Sequence, residues 1–175
     1  SELFYSLVYD SLITYGEDLD PVGNLATSWR IVPEDDPELV ASGEPYGSVW
    51  EYNISENAKW HDGEWFTVED VEWNINLNAE DLDYIWPYHP YTWFIDYAEP
   101  VDSDTVRIHY FDRETGEPMA VAYGDSLVIR MLPRHLLSEW GVSDISFAWN
   151  GIFSEEESPG YPIVGTGPFT GTPDI

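Results

Sequence analysis

Between Val49 and Asn78 the spacing of apolar residues changes from two to about 3.6, and this change constrains the fold more than any other feature. From Val49 to Ser55 large apolar and polar residues alternate: Trp50, Tyr52 and Ile54 share one face, Glu51 and Asn53 the other. That is a period-two strand. Val68, Val71 and Ile75, with Leu77 or Asn78, then recur at helical spacing. Asn57-Ala58-Lys59-Trp60 is expected to begin a partner strand. His61-Asp62-Gly63-Glu64 is expected to be a tight turn, with Gly63 free to take positive φ. Thr67 is the expected N-cap of a helix over 67–78, and Glu69 and Asp70 suit the positive end of its dipole. Strand, turn and helix in this order indicate an α+β chain with a mixed, partly antiparallel sheet and a few helices.

The rest of the chain carries weaker signals. Residues 3–13 show helical spacing, followed by a strand or turn near Thr14-Tyr15. Leu25 to Trp29 reads as one helical turn, and a strand starts at Trp29-Arg30-Ile31-Val32. Pro33 to Gly47, rich in Pro, Gly and acids, reads as an acidic surface loop. Residues 84–97 form an aromatic cluster broken by Pro87 and Pro90. Val101 to Phe111 is a hairpin arm turning at Asp102-Ser103-Asp104, with Val106, Ile108 and Tyr110 on one face. A helix is expected from Pro133, a second acidic loop over 154–160, and a new strand at Ile163–Phe169.

Charge excludes some partners. The chain has 34 Asp and Glu against six Lys and Arg, a net charge of -28, and Lys59 is its only lysine. Such a surface repels nucleic acid and anionic lipid headgroups. Acids spread along the whole chain suit a protein that meets high salt or an acid medium outside the cell, because at about 1 M salt the Debye length is roughly 3 Å. With no Cys there is no disulfide, thiolate nucleophile or Cys-bound zinc.

No residue pattern supports a catalytic assignment. His61, His89, His109 and His135 are scattered, none at metal-ligand spacing with another, so no metal or cofactor is expected. Asp18-x-Asp20 and Glu80-Asp81-x-Asp83 lack the Gly and distal Glu of an EF-hand loop and read as solvated acids. The His-Asp-Gly run looks chemical but reads as a turn.

Four segments, taken together and in order, resemble the family 5 extracellular solute-binding proteins, receptors of ABC importers for peptides, oligopeptides and nickel. They are Ser11-Leu12-Ile13 through Leu25-Ala26-Thr27-Ser28-Trp29; Lys59-Trp60-His61-Asp62-Gly63 with Thr67-Val68-Glu69-Asp70-Val71; Val101 to Ile108; and Pro162 through Gly165-Thr166-Gly167-Pro168-Phe169, with Ile163 as one added residue. The Pro33–Gly47 stretch departs from the family pattern. The resemblance implies a type II clamshell, with residues 1–175 as part of lobe one; the second lobe and the returning part of lobe one are absent. It implies capture of a peptide or similar small solute, delivery to a membrane permease, a monomer, and an extracellular or periplasmic place anchored through sequence not present here. By position it points to Trp93 beside Tyr91, and to Tyr123 and Arg130, as ligand contacts. An aromatic wall gives large contact area, and Arg130 suits a ligand carboxylate. Gly165 and Gly167 read as sites of close backbone packing rather than ligand contact. The rivals are an extracellular carbohydrate-active enzyme and a cell-surface structural module.

Overall fold

The computed structural model describes residues 7–80, 92–122, 124, 128–141, 144–145 and 163–170. Tyr91, Tyr123, residues 84–91 of the aromatic run and the 154–160 loop lie outside the described residues. Strands β1 (Ile13–Tyr15) and β2 (Pro21–Gly23) pair as an antiparallel hairpin. Strands β3 (Ala26–Ile31), β4 (Val49–Ile54), β5 (Ile95–Pro100) and β6 (Thr105–Tyr110) form a second, antiparallel sheet in the order β3-β4-β6-β5. The helices described over their full length are α1 (Pro37–Ser42), α2 (Val68–Glu80) and the single turn α3 (Arg134–Leu137).

Alternation decides which sheet face becomes the core. Trp50, Tyr52 and Ile54 of β4 and Val106, Ile108 and Tyr110 of β6 are buried with Val68, Val71, Ile75 and Ala79 of α2. Burying each such side chain contributes about 1.5–3 kcal/mol. Two asparagines, poor helix formers, then fix where α2 lies. Asn74 donates to the Leu132 carbonyl at 2.9 Å and accepts from the Leu132 N–H at 2.8 Å. Asn76 makes the same pair of bonds with Ala98 of edge strand β5, at 3.1 and 2.6 Å. The Ala98 backbone groups are thereby closed to another strand. Arg113 covers the end of α2, donating to the Ala79 carbonyl at 2.9 Å.

The opposite face is also covered, which alternation alone did not indicate. Arg30, Glu51 and Arg107 stand in register across β3, β4 and β6, with Glu99 of β5 opposite Arg107. Glu51 and Arg107 are 6% and 7% exposed. The Pro33–Gly47 stretch lies over them and is not a plain loop. Asp36 caps α1 by accepting from the Glu38 and Leu39 N–H groups, Pro37 occupies the first turn, and Gly43 closes it at φ 77. Leu39 packs with Val32 and Val49 in a small separate core.

Other expectations also change. Residues 26–31 form edge strand β3 rather than a helical turn; the 25–29 region exposes Thr27 and Ser28 and has no helical stripe. The 57–60 segment does not pair with β4, whose partners are β3 and β6; it folds back on its own turn through a Lys59–Trp65 bridge. Leu7 and Val8 are helical, but the chain is extended by β1. Residues 163–169 form no strand, because their N–H groups bond elsewhere, as described next.

Candidate functional site

The His-Asp-Gly turn is where the distant parts of the chain converge. Backbone bonds from Phe66 to Ala58 (3.0 Å), Trp60 to Glu64 (2.9 Å) and Gly63 to Trp60 (3.0 Å) shape it. Gly63 sits at φ 97, which glycine adopts without the Cβ clash other residues meet. The Lys59 ammonium lies 3.8 Å from the exposed Trp65 ring centroid. At the start of α2 the expected capping is reversed in emphasis: the Asp70 carboxylate accepts from the Thr67 N–H at 2.9 Å, with the Thr67 hydroxyl at 3.4 Å. Burial pushes the Asp70 carboxyl above its ordinary value, against the Thr67 N–H, Trp60 and the Arg134 charge, which oppose it. Glu69 is held below its ordinary value by a Thr67 hydrogen bond and its own backbone N–H. Val71 is fully buried in the core.

His61 fastens this turn to Gly165–Phe169. Its N–H donates to the Gly165 carbonyl at 2.9 Å. Its ring Nδ1 accepts from the Gly165 N–H at 3.1 Å, so Nε2 carries the proton and donates to the Gly167 carbonyl at 2.7 Å. The Gly167 and Phe169 N–H groups donate to the Val8 and Leu7 carbonyls at 2.9 and 3.1 Å. These carbonyls end a helix and lack an onward partner within it. Thr166 Oγ1 accepts from the Asp10 N–H at 3.4 Å. Pro168 follows Gly167, and Phe169 is largely exposed. Alongside, the Asp62 carboxylate takes a 2.7 Å bond from His135 of α3. Partial burial works against it, but the His135 and Glu64 bonds hold Asp62 below its ordinary value.

Of the expected ligand contacts, Trp93 and Arg130 fall among the described residues. Trp93, 37% exposed, precedes β5, and Arg113 donates to its carbonyl at 2.6 Å and lies 5.7 Å from its ring. Arg130 is half-buried opposite Ser11, and among the described residues it makes no ion pair. Arg107, Glu51, Asn74 and Asn76 are structural residues that sequence reasoning missed. The usable signal was Arg107 placed between Val106 and Ile108 in a chain with six basic residues.

An antiparallel sheet packed on one helix, with early and late segments stapled by a side chain, defines an α+β scaffold. The profile of bacterial extracellular solute-binding proteins, family 5 Middle, matches residues 20–172. The chain belongs to that family. Comparison with curated proteins finds no match. Among solved structures, NikZ of Campylobacter jejuni in complex with Ni(L-His) is similar at 23% identity and TM-score 0.68, over 94% of this chain and 27% of that one. The oligopeptide-binding protein AppA of Bacillus subtilis, in complex with a nonapeptide, aligns at 20% identity and TM-score 0.65, over 93% and 27%. A Thermotoga maritima periplasmic oligopeptide-binding protein with mannohexaose aligns at 17% identity and TM-score 0.64, over 94% and 25%. The chain thus spans about a quarter of the length of these structures. They share its fold, and none supports the carbohydrate-active enzyme or the surface module.

Proposed function

We propose that residues 1–175 form part of lobe one of an extracellular receptor that captures a peptide or similar small solute for an ABC permease. The family match over residues 20–172 carries this reading. Capture involves no bond chemistry: lobes close over the solute by hinge motion, then dock on the permease. The receptor works as a monomer in the extracellular or periplasmic space, held at the membrane through sequence outside these residues. Among the described residues no helix is long and apolar enough to cross a membrane. Trp93, Tyr91, Tyr123 and Arg130 are assigned to one wall of the cleft, and the facing wall to a second lobe. Isothermal calorimetry tests this division. These 175 residues alone are expected to show no micromolar peptide binding, whereas the chain extended to the relatives' length is expected to show it. Micromolar binding by the short chain would overturn the two-lobe reading; silence of the long one toward peptides would overturn peptide capture.

The net charge of -28 supports a high-salt or acid habitat. Carboxylates crowded on one surface repel one another, and salt screens them. Raising NaCl from about 0.1 M to about 2 M is therefore expected to raise the thermal midpoint by several degrees. A flat or falling midpoint would remove the halophile reading and leave the fold untouched.

A further inference from the structure

Strand β6 turns Arg107 and His109 toward the face covered by Pro33–Gly47. Arg107 keeps its charge at any physiological pH. It is already opposed by Asp36, Glu38 and Glu51, at 2.9, 2.7 and 3.2 Å. His109 stands differently. Its Nδ1 is 2.9 Å from Glu44 Oε1, and its Nε2 is 3.2 Å from Glu99 Oε1. Its ring stacks on Tyr97 with centroids 4.3 Å apart and planes 9° from parallel. The His109 side chain is 8% exposed and that of Glu44 15%, so water contributes little at this end. Burial, then the charges of Glu99, Glu44 and Asp96, push the Tyr97 hydroxyl above its ordinary value, so it stays neutral and adds no charge of its own.

A neutral imidazole has one N–H. Between two carboxylates it satisfies one and turns a lone pair toward the other. The imidazolium donates to both, as two charge-assisted bonds. Glu44 belongs to the covering segment and Glu99 to β5, so the protonated ring ties that segment across the sheet.

We propose that His109 is an acid-closed clasp that seals the Pro33–Gly47 segment onto the sheet and loosens it as pH rises. The groups facing the clasp are Glu38 and Glu44 from the segment, Tyr97 and Glu99 from β5, and Arg107 beside it on β6; all five line one cleft of about 240 Å³ with His109. Because Arg107 is matched by its own carboxylates, Glu44 and Glu99 are left to the His109 ring. Loosening exposes the small core of Val32, Leu39 and Val49 and the buried Glu51. The device senses acidity independently of whichever solute the protein takes.

Hydrogen exchange at the Val40 and Gly43 amides, which bond to the Asp36 and Leu39 carbonyls in α1, reads the clasp directly. After correction for intrinsic rates, their protection is expected to be about tenfold higher at about pH 5.5 than at about pH 8. Protection at Tyr52 in the core strand should stay constant. In His109→Gln the ratio at Val40 and Gly43 is expected to fall to about one. Glu44→Gln removes one of the two carboxylates and should abolish the ratio equally, which keeps the test decisive if the histidine variant does not fold. Equal protection at both pH values in the native protein, or a ratio that survives in a folded variant, would overturn the clasp.

Discussion

Gly165→Ala is expected to cost about 3 kcal/mol or more of stability. A Cβ on Gly165 would stand 1.9 Å from the Val8 carbonyl oxygen and 2.7 Å from its carbon, both backbone atoms that cannot rotate away. The Gly165 N–H and carbonyl are both bonded to His61, so the segment cannot shift without breaking those bonds and the ones that follow from Gly167 and Phe169. Gly63→Ala separates sterics from conformation. Nothing lies within 4 Å of its Cβ, but φ is 97, so it should cost only about 1–2 kcal/mol. Urea midpoints of both variants decide. A Gly165→Ala protein within about 1 kcal/mol of the native would show that the close approach to Val8 can relax.

Arg107→Met is expected to cost about 3–5 kcal/mol, because it leaves a buried carboxylate without its buried partner. Glu51 keeps only Arg30, bound at 2.6 Å by a guanidinium that is 63% exposed. Asp36 loses its ion pair and keeps the cap of α1, its carboxylate still accepting from the Glu38 and Leu39 N–H groups. The double variant Arg107→Met/Glu51→Met removes both buried charges and fills the space with apolar volume. It should therefore be more stable than the single variant, although it lacks one more ion pair. Chemical unfolding of the three proteins measures this. A single variant as stable as the native would reduce the Arg30–Glu51–Arg107 row to a surface decoration, worth the few tenths of a kcal/mol of exposed pairs.

What the sequence determined by itself was local. Alternation over residues 49–55, helical spacing after Thr67 and the glycine at position 63 each express preferences that act within a few residues, and each stands in the fold as β4, α2 and a positive-φ turn. The short α1 had a readable signal in Asp36-Pro37-Glu38 and Gly43, but one and a half turns cannot form alone, and tertiary contacts such as the docking of Leu39 and the grip of Arg107 hold it. Strand β3 was hidden because an exposed edge strand has little apolar alternation to show. The site divides in the same way. The order of Lys59 to Val71 and of Gly165 to Phe169 marked the family, while the partnership between them did not exist until the chain closed. His61 meets residues about a hundred positions away, and Asn74 a backbone amide 58 residues on. No local preference encodes such pairs; the packed sheet and helix bring them into reach, and directional hydrogen bonds then select the one arrangement in which the polar groups of His61, Asn74 and Asn76 are satisfied.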